Sequence, residues 1–287
     1  MLLGPSGCGK STLLRTVNRL VPLQDGRVLL DEADVARADV TTLRRSIGYA
    51  IQEVGLFAHM TVGENVAIVP ALLAWERSRV AARIDELLNL VHLDPHRYRD
   101  RYPRELSGGE QQRVGVARAI AARPPVLLMD EPFGAVDAIV RASLQEETRQ
   151  IARTLQTTIL FVTHDVEEAL RLADRLVVLR DGKVEQYDTP LAILSAPATP
   201  YVGRLLDARD VIRRLSLLRV RDAMVPGTSD ATMPEILADA SLRDALDALL
   251  SGAETLAVRA GASRIGTIAY ENVRRALRAQ TAVGTLP

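Results

Sequence analysis

The chain has 287 residues, 47% of them hydrophobic, enough apolar mass for roughly two domains with buried cores, which excludes global disorder. Its 36 basic and 36 acidic residues cancel, so the overall balance points neither to a nucleic-acid backbone nor to an anionic membrane surface. The single cysteine, Cys8, excludes an intrachain disulfide and suits a reducing, cytoplasmic compartment, and the longest apolar run, Val66 to Trp75, falls short of the ~20 residues that span a bilayer.

Met1-Leu-Leu3 leads directly into Gly4-Pro-Ser-Gly-Cys-Gly-Lys10-Ser11, which fits the pattern G-x-x-x-x-G-K-[ST]. The glycines permit close backbone approach, the amides cradle phosphate oxygens, and a helix N-terminus favours negative charge. Lys10 is expected at the β- and γ-phosphates, Ser11 at Mg²⁺, and Thr12 on the α-phosphate side. Lysine is itself informative here, because Lys10 and Lys183 are the only two among the 36 basic residues. The bland alternative is a glycine-rich turn without a ligand. Leu13, Leu14, Val17, Leu20 and Val21 recur at helical spacing behind the loop, so the loop joins a strand to a helix. Such a loop is ordinarily fed by a strand of about five or six residues. The short lead predicts that the gene product begins upstream, or that the chain is an N-terminally truncated form with weak ATP affinity.

Residues 1 to about 204 alternate short apolar runs with amphipathic stretches, which reads as an α/β sheet with crossover helices. A helical subdomain is expected as an insertion over about 61–120. Within it, Ile84, Leu87, Leu88 and Val91 form an apolar face, and Tyr102-Pro103 marks a break. Leu106-Ser-Gly-Gly-Glu110 then precedes Gln111-Gln-Arg113 and the helical run through Val114, Ala117 and Ile120, so its small-residue turn offers amides to a phosphate. Val126-Leu-Leu-Met-Asp130-Glu131-Pro132 ends an apolar strand in two acids. Asp130 is expected to manage Mg²⁺ and Glu131 to act as general base, against the plainer reading of two exposed acids at a strand end. Val126 to Met129 and Thr158 to Val162 read as buried parallel strands, with His164 just past the second, where α/β sheets reach their ligands. The prolines from Pro190 to Pro200 break the alternation, and a smaller unit of mixed pattern runs from about Val211 to the end.

Leu106-Ser-Gly-Gly-Glu110, standing between the phosphate loop and the acid pair, resembles the signature motif of ABC ATPases. Gln52 is similar to that family's Q-loop glutamine, Phe133-Gly-Ala-Val-Asp137 to its D-loop, and His164 to its switch histidine. The resemblance implies ATP and Mg²⁺ as cofactors and Glu131, His164 and Gln52 as catalytic residues. Nucleotide contacts would come from Gly4, Pro5, Ser6, Gly7, Cys8, Gly9, Lys10, Ser11 and Thr12, and from Ser107, Gly108, Gly109, Glu110 and Asp137. Ser11, Gln52 and Asp130 would attend the metal. It further implies a head-to-tail homodimer in which each ATP lies between one subunit's loop and the other's Ser107 turn. Permease subunits, a solute-binding protein and a place at the cytoplasmic face of the membrane follow, with no nucleic-acid partner. The family also has an aromatic residue that stacks on adenine, and no position here matches it.

The stretch from Ile47 through Gln52, Phe57 and Thr61 to Asn65, continued by Val69 to Trp75, resembles ATPases of glycine betaine, choline and proline importers. Amino-acid or sulfonate importers share most of these motifs and are the alternative cargo class. A soluble ABC ATPase acting on nucleic acid or ribosomes would show a second cassette or a long coiled coil, whereas a protein binding nucleotide weakly without transport stays open. Residues 205–287 are expected as a linker followed by a small α+β unit. The helix with Leu242, Ala245, Leu246 and Leu249, then Thr255 to Arg259, a turn at Gly261, Ile265 to Ala269 and a last helix near Glu271 to Arg278, preceded by Val220-Arg-Asp-Ala-Met224, resemble one CBS motif. A dimerisation or solubilising appendage is the plainer alternative.

Overall fold

The computed structural model describes residues 1–51, 55–134, 138–155, 157–227, 230 and 232–282. They form two compact units, residues 1–165 with 179–183, and residues 166–178 with 184–287.

Eight strands come first in the chain: β1 (Leu2–Leu3), β2 (Leu29–Leu30), β3 (Ala33–Asp34), β4 (Ile47–Ala50), β5 (Val126–Asp130), β6 (Thr158–Thr163), β7 (Leu176–Arg180) and β8 (Lys183–Asp188). Six of them, each contributing residues to the first unit, make a sheet in the order β4-β5-β6-β1-β7-β8. β4, β5, β6 and β1 run parallel, with Tyr49 opposite Leu128, Asp130 opposite Val162, and Leu2 opposite Val162 on the other side of β6. Leu127, Leu128 and Met129 are fully buried although they alternate faces, as a parallel sheet covered on both sides requires. Both expected strands run one residue further than their apolar patterns, because Asp130 and Thr163 still pair at the ends that carry the site. β2 and β3 form a separate hairpin whose turn residues, Asp31 and Glu32, both have positive φ, the geometry that matches strand twist.

The helix after the phosphate loop spans Lys10–Val17, shorter than its apolar spacing implied. Arg19 turns left-handed at φ 56°, and the amides of Leu20 and Val21 both bond the Arg15 carbonyl, which closes the helix before those two residues. Leu13 and Leu20 are exposed rather than core.

Between β4 and β5 lie helices Val62–Leu72, Arg77–Leu90, Pro95–Tyr98 and Gly108–Ile120. Thr61 starts the first with a capping box to Glu64. Val66, Ile84, Leu87, Leu88, Val91 and Val114 share one core with the sheet residues Leu127, Met129 and Phe161. Leu87 and Leu88 are fully buried, and truncating either to alanine costs about 2–5 kcal/mol.

The second unit has its own core and sheet. Strands β9 (Val225–Pro226), β10 (Glu235–Leu237), β11 (Thr255–Ala260) and β12 (Ser263–Ala269) lie in the order β10-β11-β12-β9. Helices Val211–Leu217, Leu242–Leu250 and Tyr270–Ala282 supply Leu215, Leu242, Ala245 and Val273 to a core with Leu256, Val258 and Ile268. Gly266 is required where β9 crosses, since a Cβ there would meet the Val225 carbonyl oxygen at 2.3 Å. The boundary expected near residue 204 falls inside this unit, because helix Pro190–Ser195 packs on helices Val166–Leu172 and Val211–Leu217. Pro190 and Pro200 do not merely interrupt the pattern. Each opens a helix behind a threonine cap, Thr189 and Thr199, at the position where a missing N–H is harmless. No helix among the described residues is long and apolar enough to cross a membrane.

Candidate functional site

The loop after β1 is shaped by its glycines. Gly7 and Gly9 have φ of 80° and 96°, a region that glycine enters without strain. Gly4 has no room for a side chain, since a Cβ would meet the Leu179 carbonyl oxygen at 2.4 Å and Cys8 Sγ at 2.7 Å. The Cys8 amide bonds the Pro5 carbonyl and the Gly182 amide bonds the Cys8 carbonyl, so Cys8 is buried and serves the loop through its backbone. Gly9 caps helix Lys10–Val17 with no side chain to occupy the first amides, which suits an anion there. Pro5, Ser6, Gly7 and Thr12 are exposed around it. Lys10 is 5% exposed, and its ammonium donates to the carbonyls of Gly4 at 2.8 Å and Pro5 at 2.9 Å. With Cys8 Sγ at 4.0 Å as a weaker third acceptor, that charge is held by neutral groups alone among the described residues, a weaker environment than phosphate oxygens would give.

At the end of β5 the two acids diverge. Asp130 is fully buried, its Oδ1 accepting the Ser11 hydroxyl at 2.7 Å and its Oδ2 paired with Arg15 Nη2 at 3.1 Å. Arg15 Nε also donates to the Tyr49 hydroxyl at 3.3 Å. A hydroxyl at the end of the phosphate loop beside a carboxylate is an oxygen donor set suited to Mg²⁺, which usually keeps phosphate and water among its ligands. Glu131 lies on the other side of the backbone, at φ 47°, a conformation costly for a residue with a Cβ, and its amide bonds the Val162 carbonyl. Its Oε2 stands 3.0 Å from Nδ1 of His164, which follows β6 and is 59% exposed. The Glu131 carboxylate is thus separated from Asp130 and oriented by an imidazole, as a proton acceptor for water needs to be.

Ser107 caps helix Gly108–Ile120 and forms a capping box with Glu110. Both carboxylate oxygens of Glu110 are engaged, one by the Ser107 amide at 2.7 Å and the other by the Tyr98 hydroxyl at 2.6 Å. The Tyr98 bond holds the Glu110 carboxyl below its usual range and pushes the Tyr98 phenol up. Glu110 therefore shapes the turn, while the space beside Gly108 stays open. Gln52 and Asp137, expected as Q-loop and D-loop residues, lie outside the described residues.

The structure thus brings Lys10, Ser11, Asp130, Glu131 and His164 to one set of strand ends in the first unit. Sequence reading missed Arg15, Tyr49 and Tyr98. Arg15 was within reach of it, because a residue four positions after Ser11 lies on the same helix face; Tyr49 and Tyr98 act through tertiary contacts that no local spacing announces.

A phosphate loop feeding a helix, with a buried Asp and an oriented Glu closing a parallel strand next but one in the same sheet, defines a P-loop nucleotide-binding protein. A family model described as ABC transporter matches residues 1–134. The glycine betaine uptake system ATP-binding protein YehX of Escherichia coli (strain K12) is 46% identical over 260 residues, spanning 90% of this chain and 84% of that protein. The chain belongs to the ABC transporter family of ATP-binding proteins. The glycine betaine/carnitine/choline transport ATP-binding protein OpuCA of Bacillus subtilis (strain 168) is 48% identical over 241 residues, or 82% of this chain. The osmoprotectant import ATP-binding protein OsmV of Salmonella typhimurium is 46% identical over 222 residues, or 77% of it. The chain spans 63% and 58% of those two proteins. Among solved structures, the dimeric post-hydrolysis state of the ATP-binding cassette MJ0796 with ADP and Pi superposes with a TM-score of 0.60 at 33% identity, over 66% of this chain and 84% of that one.

Proposed function

We propose that this chain is the ATP-hydrolysing subunit of an ABC importer for osmoprotectants of the glycine betaine, choline and carnitine type. The observation that carries the enzymatic part is the pairing of Glu131 Oε2 with His164 Nδ1 at 3.0 Å beside the buried Asp130–Ser11 pair. Lys10 would exchange its two loop carbonyls for the β- and γ-phosphates, with the amides of Gly7 to Ser11 around them. Ser11 and Asp130 would hold Mg²⁺, which when bound neutralises developing phosphate charge. Glu131 accepts the proton of the attacking water, and His164 keeps its carboxylate turned toward that water. Gln52 would complete the metal site, and Asp137 would stand at the subunit boundary.

The Ser107-Gly-Gly turn, open beside Gly108 at the start of its helix, is the surface offered to the γ-phosphate of a second copy, and the dimeric structure of MJ0796 supports that arrangement. In this reading the homodimer sits at the cytoplasmic face beneath permease subunits, which bind near Gln52 and the helical insertion and receive solute from a binding protein. The names of the relatives support the cargo class. Residues 205–287 carry one CBS-like motif, supported by the helix-strand-strand-helix order of Leu242–Leu250, β11, β12 and Tyr270–Ala282.

The test is Glu131→Gln. ATP binding is expected to survive while turnover falls by about 10²–10⁴-fold, and the variant with ATP should sediment as a dimer. Turnover within twofold of wild type would remove Glu131 from its role. For the cargo, wild type reconstituted with its permease should hydrolyse ATP in response to glycine betaine, and indifference to quaternary amines would overturn that part alone.

A further inference from the structure

Ser11 and Arg15 lie four residues apart on helix Lys10–Val17, so their side chains project from one face. Both reach the same carboxylate, and they divide it: Ser11 takes Asp130 Oδ1 and Arg15 takes Oδ2. The Arg15 guanidinium is fixed in turn by Tyr49, which stands on β4 opposite Leu128 of β5. Asp130 is fully buried whereas the Arg15 side chain is 46% exposed. A buried carboxylate needs a cation or several donors to remain charged, and its plane turns freely unless both oxygens are held. With Oδ2 tied to Arg15, Oδ1 keeps a lone pair beside the Ser11 oxygen, where a divalent cation would take both.

We propose that Arg15, braced by the Tyr49 hydroxyl, is a positioning residue for the metal site: it anchors Asp130 through Oδ2 so that Oδ1 and the Ser11 hydroxyl are presented together to Mg²⁺. This rests on the nucleotide-hydrolysing reading above. Arginine serves where lysine would not, because its planar fork bonds the carboxylate and the phenol at once, while an ammonium would hold Asp130 as a point charge. The opposite expectation is that a cation beside a metal ligand simply repels the metal. Half exposure of Arg15 screens that repulsion, and its charge is already matched by Asp130.

The experiment is equilibrium binding of fluorescent methylanthraniloyl-ADP to the 287-residue protein, in EDTA and across a Mg²⁺ titration, for wild type, Arg15→Gln, Arg15→Lys and Tyr49→Phe. In Arg15→Gln the Mg²⁺ concentration at the midpoint of the metal-dependent change should rise about tenfold, with affinity in EDTA unchanged within about twofold. Arg15→Lys should recover part of the loss. Tyr49→Phe, which removes one hydroxyl and leaves the ion pair, should raise the midpoint by about threefold. Melting curves accompany each variant. A Mg²⁺ midpoint equal to wild type in all three, with or without a lower melting temperature, would show that the contact only clasps helix to strand and would overturn the proposal. A lower midpoint in Arg15→Gln would overturn it as well, since repulsion would then dominate. If wild-type binding ignores Mg²⁺, the functional reading fails instead.

Discussion

Tyr98 shows how one hydroxyl can govern a motif placed elsewhere in the chain. It donates to Glu110 at 2.6 Å, and Glu110 in turn closes the capping box on Ser107. The folded Glu110 carboxyl is held below its unfolded value first by the Tyr98 bond and then by the Ser107 donors. A depressed carboxyl contributes stability above its unfolded pKa, about 4.3, and loses it as pH falls through the lower folded value. Tyr98→Phe removes the largest cause, so the folded pKa climbs toward the unfolded one, the contribution shrinks and it is exhausted at a higher pH. Acid unfolding followed by circular dichroism should show the midpoint moved up, with stability at neutral pH reduced by about 1 kcal/mol. An acid midpoint identical to wild type would show that Ser107 alone holds the carboxyl down. Glu131 makes the complementary point about strain: its φ of 47° is costly for a residue with a Cβ, and it accompanies a carboxylate placed 3.0 Å from His164 Nδ1.

Elements were legible in proportion to how local their causes are. The helix over 77–90 announced itself by Ile84, Leu87 and Leu88 at helical spacing, all of them buried, and β5 by an unbroken apolar run. The phosphate loop, Asp130, Glu131 and His164 were readable because each occupies a fixed offset from a strand or helix end. What escaped was set by tertiary contact, as with the recruitment of Tyr49 from a strand more than thirty residues from Arg15, or by a backbone turn that apolar spacing does not show, as at Arg19 beyond Val17. Gly48 belongs to this second kind. In sequence it is one glycine in a strand, yet a Cβ there would meet the Ala119 carbonyl oxygen at 2.3 Å, Leu127 Cδ1 at 2.8 Å and Pro124 Cγ at 2.9 Å. β4 therefore lies directly on the end of helix Gly108–Ile120. Gly48→Ala should destabilise by about 1–3 kcal/mol in urea unfolding, more than the gain from a stiffer unfolded chain. A change below half a kcal/mol, or any stabilisation, would mean that the helix end yields.

Two cores in one chain raise the question of what the second contributes. Leu242, Ala245, Leu256, Val258 and Ile268 form a closed apolar centre of their own, and around it the charges are arranged in pairs: Glu235 is held by Arg264 at 2.8 Å and approached by Arg259 at 3.4 Å. Exposed pairs of this kind weaken as salt rises, over a Debye length of about 8–10 Å at physiological ionic strength. Under the proposed function, a unit whose surface carries such pairs is a candidate for registering ionic strength. Removing residues from Val211 onward would test this, but it also takes away the helix on which Pro190–Ser195 packs, so a milder lesion is needed beside it. Leu242→Ala empties a fully buried position and should cost the second core about 2–5 kcal/mol while leaving the phosphate loop, Asp130 and Glu131 untouched. On the proposed function, both variants reconstituted with the permease should retain ATP-driven uptake of glycine betaine yet respond less steeply to added salt than wild type. Salt dependence identical to wild type in both would leave the second unit without a sensing role, and the plainer reading, a dimerisation or solubilising appendage, would then stand.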